Sequence, residues 1–268
     1  MAIRRRRRFG LSLAGVLVLL AAFVASPLTG AITYGQLDEE HTFVGAIIAD
    51  LSHRRPDIGI IEWCSGTLVA AKVFLTAGHC TEGLKAWEVP MDRIWVSFDL
   101  DIFAEDATWR PISGYVTHPD YWWGPTSDPH DVAVVLLSDA VVGITPGKVA
   151  PEGFLDGLAA TGELAGTWFV NSGYGSDEYG VVTGWREWSS SEFRNLHKAW
   201  LYMSQNIHTG SGGTCYGDSG GPTFYARGHT EYVVAVTSWG DAQCKATNNN
   251  YRVDIPSSQA FLLSYLED

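Results

Sequence analysis

One serine stands among three glycines in the run Thr214-Cys215-Tyr216-Gly217-Asp218-Ser219-Gly220-Gly221-Pro222. A serine hydroxyl is a weak nucleophile until the backbone exposes it and a base takes its proton. Gly217, Gly220 and Gly221 allow a tight turn whose main-chain N–H groups converge beside that hydroxyl. A carbonyl oxygen gaining charge during attack needs such donors, and the N–H groups of Gly217 and Ser219 are the candidates. The competing reading is a glycine-rich turn that carries a surface serine.

The partners of the serine separate the two. Gly217-Asp218-Ser219-Gly220-Gly221 also fits the elbow of α/β-hydrolases, which need an acid and then a histidine after the serine. The last histidine is His229, and no Asp or Glu lies between it and Ser219, so that order is excluded. An upstream base is available in Thr76-Ala77-Gly78-His79-Cys80. Between base and serine, Asp131 heads the apolar run Val132-Ala133-Val134-Val135-Leu136-Leu137. A carboxylate buried there could hold an imidazole tautomer and stabilise the imidazolium.

With these three segments the sequence resembles the chymotrypsin/trypsin family of serine proteases, as a secreted, bacterial-type member. The likeness runs through residues 32–35, 64–80, 118–121 and 173–175, the serine run, Ser238-Trp239-Gly240 and a terminal helix. It implies an all-β fold of two packed antiparallel six-stranded β-barrels with a C-terminal helix. It assigns Ser219 as nucleophile, His79 as base, Asp131 as its orienting acid, and Gly217 and Ser219 as the oxyanion hole. Disulfides Cys64–Cys80 and Cys215–Cys244 are implied by the same pattern; four cysteines alone leave three pairings open. The resemblance puts Gly213 at the floor of the primary pocket, with Thr214, Tyr216, Ser238, Trp239 and Gly240 around substrate. It also implies that a new N-terminal Ile32 pairs its ammonium with Asp218.

Five arginines, an apolar stretch over residues 11–24 and then small residues read as a signal peptide over 1–31. That stretch is shorter than the ~20 residues a membrane-spanning helix needs, which disfavours an anchor. Arg6-Arg7-Arg8-Phe9 also resembles a twin-arginine signal. Loss of 1–31 removes five of the 18 basic residues and none of the 30 acidic ones, taking the formal charge from −12 to −17. Such a surface repels nucleic acid and anionic membranes, so neither is an expected partner.

At 268 residues, 46% hydrophobic and only 18% charged, the chain has apolar surface enough for sizeable cores. Short strands are predicted at 44–49, 66–70, 73–75, 94–98 and 132–137, then at 167–170, 199–203, 222–225, 232–238 and 251–253. Residues 142–166 show no clear strand pattern and read as the crossing between two domains, 32–150 and 151–268. Pro256-Ser257-Ser258 caps a helix over 259–266, with Phe261, Leu262, Tyr265 and Leu266 on one face. His79 and Asp131 then belong to the first barrel and Ser219 to the second, so the site falls in the cleft between them.

Other candidates are weaker. His130 adjoins Asp131, but strand neighbours point to opposite faces, and His118 has no better geometry. The acids Asp99, Asp101, Glu105 and Asp106 lack a calcium-loop spacing and read as a solvated loop. Trp122 and Trp123 read as packed against the barrel, with an exposed substrate subsite as the alternative. The function expected is secreted endopeptidase action on polypeptides, after neutral and more often apolar residues, by a monomer needing no cofactor or metal. A protein inhibitor is a further expected partner. The rival is a retired protease fold serving as a binding protein.

Overall fold

The computed structural model describes residues 32–124 and 126–266; the signal peptide read at 1–31 lies outside the described residues. A two-residue β1 (Gln36–Leu37) leads into β2 (Val44–Asp50), β3 (Ile60–Ala70), β4 (Val73–Thr76), β5 (Ile94–Ser97), β6 (Arg110–Thr117) and β7 (Ala133–Leu137). The last six close a barrel in the order β2-β3-β4-β7-β6-β5. Closure leaves no free sheet edge. Ile47, Leu68, Phe74, Leu75, Ile94, Val96 and Val134 fill or flank its apolar core.

After a short β8 (Lys148–Val149), the second barrel runs through β9 (Trp168–Gly173), β10 (Glu187–Leu196), β11 (Trp200–Ser204), β12 (Pro222–Arg227), β13 (Thr230–Gly240) and β14 (Thr247–Arg252). Its order is β10-β11-β14-β13-β12-β9, closed by pairing of β9 with β10, while β8 adds to β13 in parallel. Among the described residues three α-helices complete the fold: α1 (Gly78–Ala86), α2 (Phe154–Thr161) and α3 (Pro256–Leu266). Among the described residues no helix is long and apolar enough to cross a membrane.

Ten of the twelve barrel strands fall on the predicted segments, and β6 and β10 do not. Pro111 and Gly114 interrupt β6, and the buried side of β10 is made by Ser189 and Ser191. Those serines face inward because they have partners: Ser191 Oγ donates to the Gly212 carbonyl at 2.8 Å. Residues 142–166 are not featureless either, since they hold β8 and α2. Arg252, buried on β14, fixes α2 by bonding Asp156 at 2.7 Å, and its Nε reaches Asp254 at 2.8 Å. Leu155 and Leu158 of α2 join the core of the second barrel.

That core is partly polar. Thr223 Oγ1 donates to Asn171 Oδ1 (3.1 Å), Asn171 Nδ2 to Ser191 Oγ (2.9 Å), and Thr214 Oγ1 to Asn248 Oδ1 (2.9 Å). Inside a low-dielectric barrel such bonds hold only when the groups are satisfied. Rigidity here comes from amides as well as from aliphatic packing.

The chain ends cross over. β1 pairs with β10 of the second barrel, and Thr33 and Gly213 exchange main-chain bonds of 3.1 and 3.2 Å. At the other end, Phe261 of α3 packs against His118 of the first barrel, ring centroids 5.1 Å apart. The N-terminal crossing is clamped by charge. His41 Nδ1 bonds Asp38 at 2.8 Å, its Nε2 bonds Glu231 of β13 at 3.0 Å, and its ring stacks on Phe224. Ser172 Oγ donates to Asp38 Oδ2 at 2.5 Å.

Burial opposes a charged His41, but its bonds to Asp38 and Glu231 outweigh burial and hold it above the ordinary histidine value. Burial would likewise raise Asp38, yet the His41 bonds bring it down to about 2. A histidine held high contributes fully below its unfolded value of ~6.5 and loses that contribution as pH climbs through the folded value. Asp38, held low, contributes above ~3.9 and loses it as pH falls toward about 2. The stability gap between wild type and His41→Phe in urea unfolding should therefore be widest near pH 5 and narrow above ~6.5. A gap constant from pH 5 to 9 would contradict the charged clamp.

Candidate active site

β4 ends at Thr76, and the chain turns at once into α1, which carries His79 in its first turn. Asp131 stands two residues before β7, at the same end of the barrel because β4 and β7 pair from Thr76 to Ala133. The His79 main-chain N–H donates to Asp131 Oδ1 at 2.8 Å, and Nδ1 lies 2.9 Å from Oδ2. A carboxylate only accepts, so Nδ1 carries the hydrogen and Nε2 of a neutral ring keeps its lone pair. A third donor arrives from the second barrel: Ser238 Oγ bonds Asp131 Oδ2 at 2.5 Å.

Burial alone would raise the Asp131 carboxyl, but the His79 charge and these hydrogen bonds hold it below the ordinary value. Burial lowers His79, and the charge of Asp131 together with their hydrogen bond more than offsets this, leaving the imidazole above its ordinary value. The pair is set as carboxylate and basic imidazole.

Ser219 occupies the predicted turn. Gly217 has φ +100° and Gly220 φ +78°, conformations that a residue with a side chain rarely takes. A Cβ on Gly220 would also meet Thr76 Oγ1 at 2.1 Å, so the turn presses directly onto β4 of the first barrel. The N–H groups of Asp218, Gly220 and Gly221 are taken by carbonyls of Cys215, Thr237 and Asp218. Those of Gly217 and Ser219 find no acceptor among the described residues. Two donors are thus left open at the turn. Asp218 braces it from behind, its carboxylate accepting from Cys215 N at 2.8 Å and Gly175 N at 2.9 Å.

His79 and Ser219 line one cavity of about 270 Å³, together with Thr214, Tyr216, Ser238, Trp239 and Gly240. Trp123, Thr237 and Asp241 join the same lining; of these, Thr237 carries no sequence signal. Gly213 does not line it. It lies directly before the lining residue Thr214, buried and paired with Thr33. The aromatic expectation also changes: Trp122 and Trp123 are 64% and 68% exposed rather than packed away. With Trp200, Tyr202 and Trp239 they line an adjoining groove of about 470 Å³.

Ile32 is buried, and its backbone nitrogen donates to Glu187 Oε2 at 3.4 Å; the pairing expected with Asp218 concerns the ammonium of a chain cut before Ile32. Burial and the nearby Glu187 charge push Asp218 well above the ordinary carboxyl range, and burial with the Asp218 charge does the same to Glu62. No sequence signal marks Glu187 or Glu62, whose partners are distant along the chain. Ser238 was expected only along the substrate edge; its bond to Asp131 depends on how the barrels dock.

Cys64–Cys80 and Cys215–Cys244 are both formed, closing loops on either side of the cavity. In the chain-entropy account a loop of this size contributes ~3 kcal/mol. Among the described residues Cys64, His79 and Cys80 are the one cluster of metal-ligating types, and the disulfide leaves neither sulfur a thiolate to offer. His118 and His130 stack on each other with centroids 4.6 Å apart and line none of this cavity. In the acidic loop, Asp99 accepts from Ser97 and Thr108, and Asp101 from the Phe103 N–H.

Two closed antiparallel barrels with His79, Asp131 and Ser219 gathered at their junction define the chymotrypsin-like class of fold. The trypsin family model matches residues 40–262, and the chain belongs to that family of serine proteases. It is 28% identical over 249 residues to the venom serine protease Bi-VSP of Bombus ignitus, covering 82% of this chain and 63% of that one. It is 26% identical over 201 residues to a trypsin of Saccharopolyspora erythraea, covering 67% of this chain and 76% of that one.

Because the charge on Asp131 is what holds His79 high, Asp131→Asn should lower the imidazole pKa, as followed by NMR titration of the ring nitrogens. An unchanged titration would mean that another group sets it.

Proposed function

We propose that the chain is an exported serine endopeptidase that cleaves polypeptides through an acyl-enzyme. The observation that carries this is the His79–Asp131 pair opening on the same cavity as Ser219, beside two unclaimed main-chain N–H groups. Ser219 Oγ attacks the scissile carbonyl carbon while His79 Nε2 takes the hydroxyl proton. Charge gathering on the carbonyl oxygen is met by the N–H groups of Gly217 and Ser219. The tetrahedral adduct collapses, the C–N bond breaks, and the amine leaves with the proton from His79. Water then repeats the sequence, giving a carboxylic acid and restoring Ser219.

Asp131 keeps the imidazole in the useful tautomer and stabilises its cation. Extended peptide is expected along Ser238–Gly240, where an exposed strand end can pair with substrate backbone. A neutral side chain before the cleaved bond suits a cavity whose expected floor position, Gly213, carries no acid. Residues 1–31 act as the export signal in this proposal, and the two disulfides suit an oxidising destination. Cleavage after Ala31 would bring an ammonium to Ile32, next to Glu187 and within the field of Asp218, relieving two crowded buried carboxyls. The enzyme acts as a monomer on this account, with a protein inhibitor among its expected partners.

A fluorophosphonate probe should label Ser219 in the secreted protein, located by mass spectrometry, and should not label Ser219→Ala. Well-folded protein that stays unlabelled would overturn the proposal. In active enzyme kcat/KM should rise as His79 loses its proton, with a midpoint above the ordinary ~6.5, since its folded value is raised. Asp131→Asn should lose ~10⁴ in kcat, the size seen in the chymotrypsin template.

A further inference from the structure

Behind the cavity beside Ser219, Gly213 carries no side chain, yet the space there is filled. A Cβ on Gly213 would lie 2.1 Å from Gln205 Oε1, 2.4 Å from its Cδ and 2.5 Å from its Cγ. The side chain of Gln205, which follows β11, therefore lies flat against Gly213 from outside the serine run. It is fully buried, and its main chain is fixed by Gln205 N donating to the Ala246 carbonyl at 3.0 Å.

The orientation of its amide is determined. Oε1 accepts the Thr214 N–H at 2.6 Å, and only the oxygen can do so. Nε2 is then the far atom. It is buried with no hydrogen-bond partner among the described residues, and it lies 3.8 Å from where Gly240 would carry a Cβ. Thr214 and Gly240 both line the cavity and Gln205 does not, so its amide sits directly behind that wall, bonded to Thr214 and next to Gly240. An amide N–H2 buried without acceptors costs free energy until something supplies them. Two more buried oxygens lack a partner among the described residues: Thr237 Oγ1, in the cavity lining, and Asn249 Oδ1, on the residue paired in register with the lining residue Trp239.

The geometry points to Gln205, not Gly213, as the residue that sets the cavity floor and selects a carboxamide side chain, glutamine or asparagine, immediately before the cleaved bond. The inference rests on the protease reading of the site. A substrate carboxamide oxygen accepts from Gln205 Nε2, and its N–H2 finds acceptors in Thr237 Oγ1 and Asn249 Oδ1. An aliphatic side chain leaves all three unpaired. An acidic one meets Asp241 in the same lining, whose carboxylate is anchored by the N–H groups of Lys245, Ala246 and Thr247. Discrimination by hydrogen bonds whose loss strands buried groups is worth at least about tenfold.

The test uses secreted protein whose fluorophosphonate labelling is measured first. Peptides differing only at the residue before the cleaved bond, with Gln, Asn, Leu, Met, Glu or Lys there, are then compared by kcat/KM. Gln or Asn should exceed Leu by about tenfold or more. Gln205→Glu keeps an acceptor for the Thr214 N–H and replaces the donor by oxygen; it should abolish the carboxamide preference and raise cleavage after Lys. Gln205→Met keeps the volume, removes both polar atoms, and should move the preference to Leu and Met, which decides the matter if the Glu variant does not fold. Labelled enzyme that cuts after Leu as well as after Gln, or that keeps its order of preference in both variants, overturns the floor assignment alone. Folded protein that takes no label overturns the protease reading and this inference with it.

Discussion

A buried carboxylate is unstable as an ion unless donors surround it, and Asp131, with 1% exposure, has three. Two come from His79, on the helix that leaves the first barrel. The third is the Ser238 hydroxyl, on β13 of the second. The charge state of Asp131 is therefore tied to the docking of the two barrels, and through it so is the basicity of His79. Packing between halves and acid–base chemistry are coupled through one side chain.

The serine turn depends on similar long-range support. Ser65 N donates to the Ser219 carbonyl at 2.9 Å, and Ser65 Oγ reaches the Gly217 carbonyl at 3.1 Å. Both bonds run from the first barrel to a turn of the second. Behind the turn, Asp218, Glu187 and Glu62 place three carboxyls in one interior region, each close enough to raise a neighbour or be raised by one. Such an arrangement is costly in low dielectric, and proteins keep like charges together where a cation or proton is to be received.

How much of this was legible in the sequence follows from how local each signal is. His79, Asp131 and Ser219 announce themselves because each lies in a short stretch whose residue types have a chemical reason to be adjacent. Most strands were legible because apolar residues mark them. β10 was not, since serines occupy its inner face to bond carbonyls of residues 212 and 213, a role set by folding. Trp122 and Trp123 read as core from composition, and their exposure follows from lying on a loop over the cleft. Gln205 and His41 carry no local mark at all. Gln205 acquires its meaning from the Thr214 N–H and the wall at Gly240, and His41 from Glu231, 190 residues on.

The crossed chain ends bear on the order of assembly. Strands β2 to β7 lie between residues 44 and 137, so the first barrel can close while the rest of the chain is still being made. Thr33 must wait for Gly213, 180 residues on, and His41 for Glu231, 190 residues on. Contacts of such separation form late because loop closure comes before their reward. The segment from Thr33 to His41 is thus among the last to be seated, because its partners exist only once the second barrel does. Seating of residues 33–41 thereby reports that both halves are complete, since their socket is built from residues as distant as Gly213 and Glu231.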